Sequence, residues 1–291
     1  AETGVQVYGY LPNLPECALE SRHLGLVTAA EVGDLRQKLR RMAEQAEQTI
    51  DIDGLLALAE TAPALEVPQR PDAPISRERP VIALARDKAF CFYYADGLSE
   101  LARQGAELVE FSPLVDKALP AGCSGLYLGG GYPEVFAKEL AGNTSLLREI
   151  HHAILHGMPT VAECGGFLYL QRHLADADGR YDWKMVGAFS GKAGNTGKLS
   201  RFGYIEMTAR ADGLLCGAGE RLHAHEFHYW DSTTPGGDFR AQKPLSDRGW
   251  DCAWHTPTLY AGFPHIHFGG CPKAAERFVA ACIAYERGRE G

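Results

Sequence analysis

No apolar run in this sequence approaches the ~20 residues that a bilayer-spanning helix needs, so no membrane partner is expected. Basic clusters are missing as well. The net charge is −8, and nucleic acid is not expected as a partner. Residues 1–10 have neither the charged start nor the apolar core of a secretory signal. None of the eight cysteines (17, 91, 123, 164, 216, 252, 271 and 282) forms a C-x-x-C pair, and their spacings are irregular. That argues against structural zinc and a disulfide framework, and points to a reducing, cytoplasmic setting in which most of these thiols are small buried groups. What remains is ordinary globular composition, 45% hydrophobic and 23% charged, over 291 residues, enough for one large domain or two.

The chain divides by pattern. "GVQVYGYLP" reads as a strand that ends at a proline turn, and it begins at Ala1 as though in the middle of something. Val32, Leu35, Leu39, Met42, Ala46 and Ile50 follow a helical period, and Asp53 is placed to cap a second helix through "GLLALAE". Residues 62–80 carry five prolines among charged residues and read as a linker. Beyond it "VIALA", "AELVEF" and "PTVAE" read as strands, and "GLYLGGGYPE" as a strand running into a glycine loop. Helices fall at 93–104, at 145–156 and in "GGFLYLQRHL". This alternation predicts a parallel sheet covered on both faces. After residue 186 strand-rich segments dominate, and a helix over 273–287 closes the chain.

Cys164 falls where the strand "PTVAE" turns into a helix. Ligands of open α/β sheets bind beyond the carboxyl ends of the strands. A tight turn there is expected to push the thiol out of the core toward solvent, with the helix N-terminus favouring the thiolate. Gly165 and Gly166 supply tolerance for a strained turn and for close approach of a substrate. A buried structural cysteine is the plainer alternative. A thiolate nucleophile needs a base, and His265 and His267 alternate in "GFPHIHFGG", so a strand would turn both to one side. Acyl chemistry needs an oxyanion hole, and "LGGGYPE" offers glycine N–H groups at a strand end, or simply a glycine turn.

"LYLGGGYPE", "AECGGFLYL", "RFGY", "HEFHYW" and "GFPHIHF", in this order, resemble the glutamine amidotransferase domain of the corrin (cobyrinic or hydrogenobyrinic acid) a,c-diamide synthases of cobalamin synthesis. The resemblance covers roughly residues 80–290. Upstream, "GYLPNLPE" and "IDIDGLLALA" resemble the end of that family's synthetase domain. It implies an α/β fold of the class I glutamine amidotransferase, flavodoxin-like kind, a mostly parallel sheet with helices on both faces. Its domains would be a synthetase remnant (1–61), the proline-rich linker (62–80) and the amidotransferase domain (81–291). By the same resemblance Cys164 attacks the carboxamide of glutamine and His265 raises its nucleophilicity. The backbone N–H groups of Gly131 and Gly165 receive the oxyanion, with Gly130 as the alternative to Gly131. The ammonia released amidates the c and then the a acetate of the macrocycle, which the synthetase domain activates with ATP as an acyl phosphate. ATP and magnesium therefore belong to the missing synthetase domain, and this chain holds no cofactor or metal of its own. Glutamine and, through the synthetase, a corrin are the partners. A homodimer is one option for assembly, and cobyrinate, hydrogenobyrinate and nickel sirohydrochlorin all stay open as the macrocycle.

Two departures stand out. Many relatives carry a glutamate two residues after the catalytic histidine; here that position is His267, so the third member of a triad is missing or comes from elsewhere. Without a carboxylate to orient it, His265 is expected to be a weak base and the isolated chain at most a weak glutaminase. "GKAGNTGKLS" lacks the spacing and the Ser or Thr of a phosphate-binding loop, so the chain reads as a fragment without the ATP site. In "HAHEFH", a strand would place His223 and His225 opposite Glu226 and His228, against a zinc site. A cysteine hydrolase of the same fold and a docking module with an idle site are the competing readings. Glutamine-dependent ammonia release separates them from the amidotransferase.

Overall fold

The computed structural model describes residues 4–22, 25–27, 29–67 and 78–290. Of the five linker prolines, Pro68, Pro71 and Pro74 lie outside the described residues. The chain forms two compact units, Ala1–Pro71 and Asp72–Gly291.

The first unit holds the two-residue strands β1 (Ser21–Arg22) and β2 (Gly25–Leu26), paired antiparallel, and two helices, α1 (Leu35–Thr49) and α2 (Ile52–Glu60). The "GVQVYGYLP" segment forms only an isolated bridge, Gly9 to Ile50, rather than a strand. The cap of α2 is Asp51, whose Oδ1 accepts the Gly54 N–H at 2.9 Å, and not Asp53, which lies one residue inside the helix. Neither helix buries a side chain.

The second unit is built on a six-stranded sheet of order β17-β18-β8-β6-β3-β5. Five of these strands run parallel: β3 (Val81–Ala85), β5 (Glu107–Phe111), β6 (Gly125–Leu128), β8 (Thr160–Glu163) and β18 (Leu259–Gly262). Only the edge strand β17 (Trp254–Thr256) is antiparallel. Side-chain alternation sends successive residues to opposite faces, which is why these strands read as unbroken apolar runs. On one face Ala83, Leu126, Leu128 and Ala162 pack with α4 (Ala137–Gly142), α5 (Thr144–Leu155) and α6 (Gly165–Leu170). On the other, Ile82, Leu84, Tyr127, Val161 and Tyr260 meet α3 (Ala95–Arg103) and α7 (Pro272–Glu290). The parallel sheet with helices on both faces is therefore as expected.

Two further sheets come from the strand-rich part. A five-stranded antiparallel sheet, β16-β15-β12-β13-β19, joins β12 (Arg201–Ala209), β13 (Arg221–His228), β15 (Phe239–Gln242), β16 (Gly249–Cys252) and β19 (His265–Ile266). Its inner residues Ile205, Met207, Leu222, Ala224 and Phe239 belong to the same core as Tyr260 and Phe278. A smaller sheet joins β9 (His173–Ala175), β10 (Asp182–Lys184), β11 (Lys192–Asn195) and β14 (Trp230–Ser232). A short ribbon pairs β4 (Phe90–Phe92) with β7 (Gly130–Gly131). Helix α6 stops at Leu170, immediately before "QRHL" rather than running through it, because residues 173–175 are drawn into the smaller sheet.

Candidate active site

Cys164 sits between β8 and α6 with φ 46° and ψ −101°. A positive φ is costly for a residue with a Cβ, and such strain persists only where its surroundings enforce it. Here the Cys164 N–H donates to Gly262 O on the neighbouring strand at 2.8 Å, and the Leu168 N–H donates to Cys164 O at 2.9 Å. The strain lies on the cysteine itself, and the two glycines serve close approach. A Cβ on Gly166 would stand 2.0 Å from Leu128 O, and one on Gly165 would stand 2.8 Å from Gly131 N. Helix α6 thus starts directly against the 128–131 loop, and the Gly166 N–H reaches Gly129 O at 2.9 Å.

The turn does not expose the thiol. Cys164 is 4% accessible and close enough to His265 for the thiol–imidazole pairing to favour the imidazolium. The expectation of a solvent-directed thiol is corrected, because β19 closes over the turn. A Cβ on Gly130 would stand 2.4 Å from His265 Cε1, so the imidazole lies directly on the glycine loop. The other two glycine-loop residues are held from below. The Tyr93 hydroxyl accepts the Gly129 N–H at 2.9 Å and donates to Ala85 O. Burial pushes the Tyr93 pKa far up, so it stays a neutral phenol. A Cβ on Gly131 would stand 2.1 Å from Ala89 O.

A carboxylate does accompany His265. It is Glu163, the residue before the cysteine, 1% accessible at the end of β8. Its Oε1 accepts the Ile266 N–H at 2.7 Å. Its Oε2 accepts the Tyr127 hydroxyl at 2.9 Å and stands 3.8 Å from His265 Nδ1. Burial alone would lower the His265 pKa, but hydrogen bonds and charge from Cys164 and Glu163 outweigh it and push it up to about 10. Of the two alternatives, a third member missing or supplied from elsewhere, the structure places a carboxylate from elsewhere, Glu163, beside His265. Alternation along a regular strand would point Glu163 away from Cys164, and only the positive φ at Cys164 brings both to one imidazole.

His267 does not join them. Its Nε2 lies 2.7 Å from Asp96 Oδ2, and its ring meets Tyr94 edge-on. Both histidines do face one cleft, of about 790 Å³, whose other walls include Tyr94, Tyr204, His223 and His225. As the alternation required, His223 and His225 are on the accessible face of β13, while Glu226 and His228 are buried on the other. Among the described residues, no group of three or more His, Cys, Asp or Glu side chains is placed to hold a metal ion. Residues 196–200 lead from β11 into β12, so no helix follows Gly197-Lys198 as a phosphate-binding loop requires.

A strained cysteine at a strand-to-helix turn, an imidazole on it and a glycine loop alongside form the arrangement of a thiol-dependent acyl-transfer site. Residues 81–271 match the CobB/CobQ-like glutamine amidotransferase domain, and the chain belongs to that family. Three curated relatives match nearly all of it. It is 38% identical over 98% of its length to a cobyrinate a,c-diamide synthase of Caldanaerobacter subterraneus. It is 39% identical over 94% to that of Salmonella typhimurium, and 38% identical over 96% to a hydrogenobyrinate a,c-diamide synthase of Thermobifida fusca. The chain spans 63%, 61% and 61% of these relatives. Among the described residues no helix is long and apolar enough to cross a membrane.

Proposed function

We propose that this chain is the glutaminase part of a glutamine-dependent corrin a,c-diamide synthase, a ligase, with Cys164 as nucleophile and His265 as its acid and base. The observation that carries the reading is the convergence of the strained Cys164 turn and the His265 imidazole on one glycine loop, in a chain of the amidotransferase family. The Cys164 thiolate attacks the side-chain carboxamide carbon of glutamine. The oxyanion forms against the N–H groups of Gly131 and Gly165. The adjacency of Gly165 to Gly131 N favours that pair over Gly130, whose Cα faces the imidazole. As the first helical residue, Gly165 has an N–H without an intrahelical acceptor. His265 gives a proton to the departing nitrogen, ammonia leaves, and a γ-glutamyl thioester remains. His265 then takes a proton from water, which attacks the thioester and releases glutamate and the thiol.

The ammonia is consumed by a corrin acetate activated with ATP and magnesium in a synthetase domain, to which residues 1–61 belong. The absence of buried side chains on α1 and α2 supports that assignment. The relatives carry both cobyrinate and hydrogenobyrinate names, so either corrin fits. The test uses the full-length enzyme with Cys164→Ser. Glutamine-dependent amidation is abolished while ammonia-dependent amidation persists. Loss of both activities in a folded variant contradicts this division of labour, and ammonia-free hydrolysis of a peptide or ester by the wild type would favour the cysteine hydrolase reading.

A further inference from the structure

We propose that Glu163, the residue immediately before the cysteine, is the positioning carboxylate of the site: it fixes the imidazole of His265 through Nδ1 and leaves the other ring nitrogen to Cys164. The proposal rests on the glutaminase reading for its chemistry but on geometry for its assignment. Glu163 is 1% accessible and its carboxylate is fully engaged, by the Ile266 N–H at 2.7 Å, the Tyr127 hydroxyl at 2.9 Å and His265 Nδ1 at 3.8 Å. Two of these are neutral donors. Among the described ion pairs, His265 is its cationic partner. A buried carboxylate without a cation is strongly disfavoured, so Glu163 holds the proton on His265. The bond from Ile266 N also ties the carboxylate to the residue after the histidine, which fixes ring position as well as charge. The usual place for this carboxylate, two residues beyond the histidine, is taken here by His267, which is turned to Asp96.

The ionisable groups around the imidazole are few. Cys164 and Glu163 approach from the β8 turn, Tyr127 from β6, Tyr93 from beneath the glycine loop and His225 from the paired position on β13. Burial and the charge on Glu163 keep Tyr127 protonated, and burial and the charge on His265 keep His225 neutral. Among the described ion pairs, Glu163 is the carboxylate that stands at His265 Nδ1.

Glu163→Gln is the test, because the amide can still accept from Ile266 and donate to Tyr127. The readout is the pH dependence of Cys164 alkylation by iodoacetamide, which needs neither glutamine nor a corrin and so can fail independently of the functional reading. We expect the alkylation midpoint to rise by at least about one pH unit, tenfold in thiolate fraction. In the full-length enzyme, kcat for glutamine hydrolysis falls about 10²–10³-fold with KM nearly unchanged. In a His265→Ala background the same substitution should change neither, whereas a purely structural role would add an equal loss there. An unshifted midpoint with wild-type kcat overturns the proposal. If Glu163→Gln does not fold, Glu163→Asp, which keeps the charge but withdraws it by one methylene, must show the same direction of shift.

Discussion

A single methyl group placed on Gly130 should disable the site while leaving the fold in place. In Gly130→Ala the new Cβ would stand 2.4 Å from His265 Cε1, 3.2 Å from Nε2 and 3.4 Å from Phe92 Cβ. Carbon atoms pack at ~3.5–4.0 Å, so one partner must retreat by roughly 1 Å. The backbone of Gly130 is held by its pairing with Phe92, and the Phe92 contact is only slightly tight, so the imidazole moves. A displacement of ~1 Å at a reacting group costs on the order of 10²-fold in rate. Overpacking at one side chain costs about 1–3 kcal/mol, which a domain with this core survives. The assay is kcat for glutamine hydrolysis in the full-length enzyme, from coupled detection of ammonia, with a thermal melt on the same sample. We expect a folded protein with kcat reduced about 10²-fold and slower alkylation of Cys164. A folded variant with wild-type kcat and alkylation rate would refute the placement of His265 over the glycine loop.

His265→Ala should reduce glutamine hydrolysis by about 10²–10⁴-fold, and His267→Ala by no more than a few-fold, since His267 is engaged with Asp96 and Tyr94; steady-state kinetics of the two variants decides, and an equal loss contradicts the assignment. Gly166→Ala should fail to fold or melt far below the wild type, because its Cβ would lie 2.0 Å from a backbone oxygen, and circular dichroism on heating reads this out. His255 is buried, accepts the Leu215 N–H at 3.1 Å, and has its pKa lowered by burial to about 4. The unfolded chain therefore binds the extra proton first, and stability is lost as pH falls from about 6.5 towards about 4, with a slope of at most about 1.4 kcal/mol per pH unit. Urea unfolding across that range should show the slope in the wild type and a flatter one in His255→Gln.

Much of the central sheet was legible because its strands are buried on both faces and their apolar runs are unmistakable: "VIALA" became a strand with its expected bounds, and "PTVAE" became one that starts a residue later, at Thr160. Cys164 was legible from the strand-to-glycine transition, and His265 from its spacing with His267 and from the family motifs. The contacts between them were not, because they depend on the return of β19 to the end of β8. Glu163 was in plain view in "AECGG" but unreadable as a partner of His265. Regular alternation places it opposite the next residue, and only the dihedral angles of Cys164 undo that. Nothing in the sequence singles out Tyr93 and Tyr127; their hydroxyls acquire a role from the glycine loop and the carboxylate they bond. The cap of α2 was misplaced because Asp51 and Asp53 flank the helix start within two residues, a distance at which sequence alone does not resolve a boundary.

The central claim is that glutamine becomes covalently attached to Cys164 and to none of the other seven cysteines. Full-length enzyme incubated with a diazo-ketone analogue of glutamine and digested for mass spectrometry tests it directly. One equivalent of label is expected, confined to the peptide carrying Cys164, blocked by excess glutamine and accompanied by loss of glutamine-dependent but not ammonia-dependent amidation. Label on another cysteine, or undiminished glutamine-dependent turnover in enzyme fully labelled at Cys164, would contradict it.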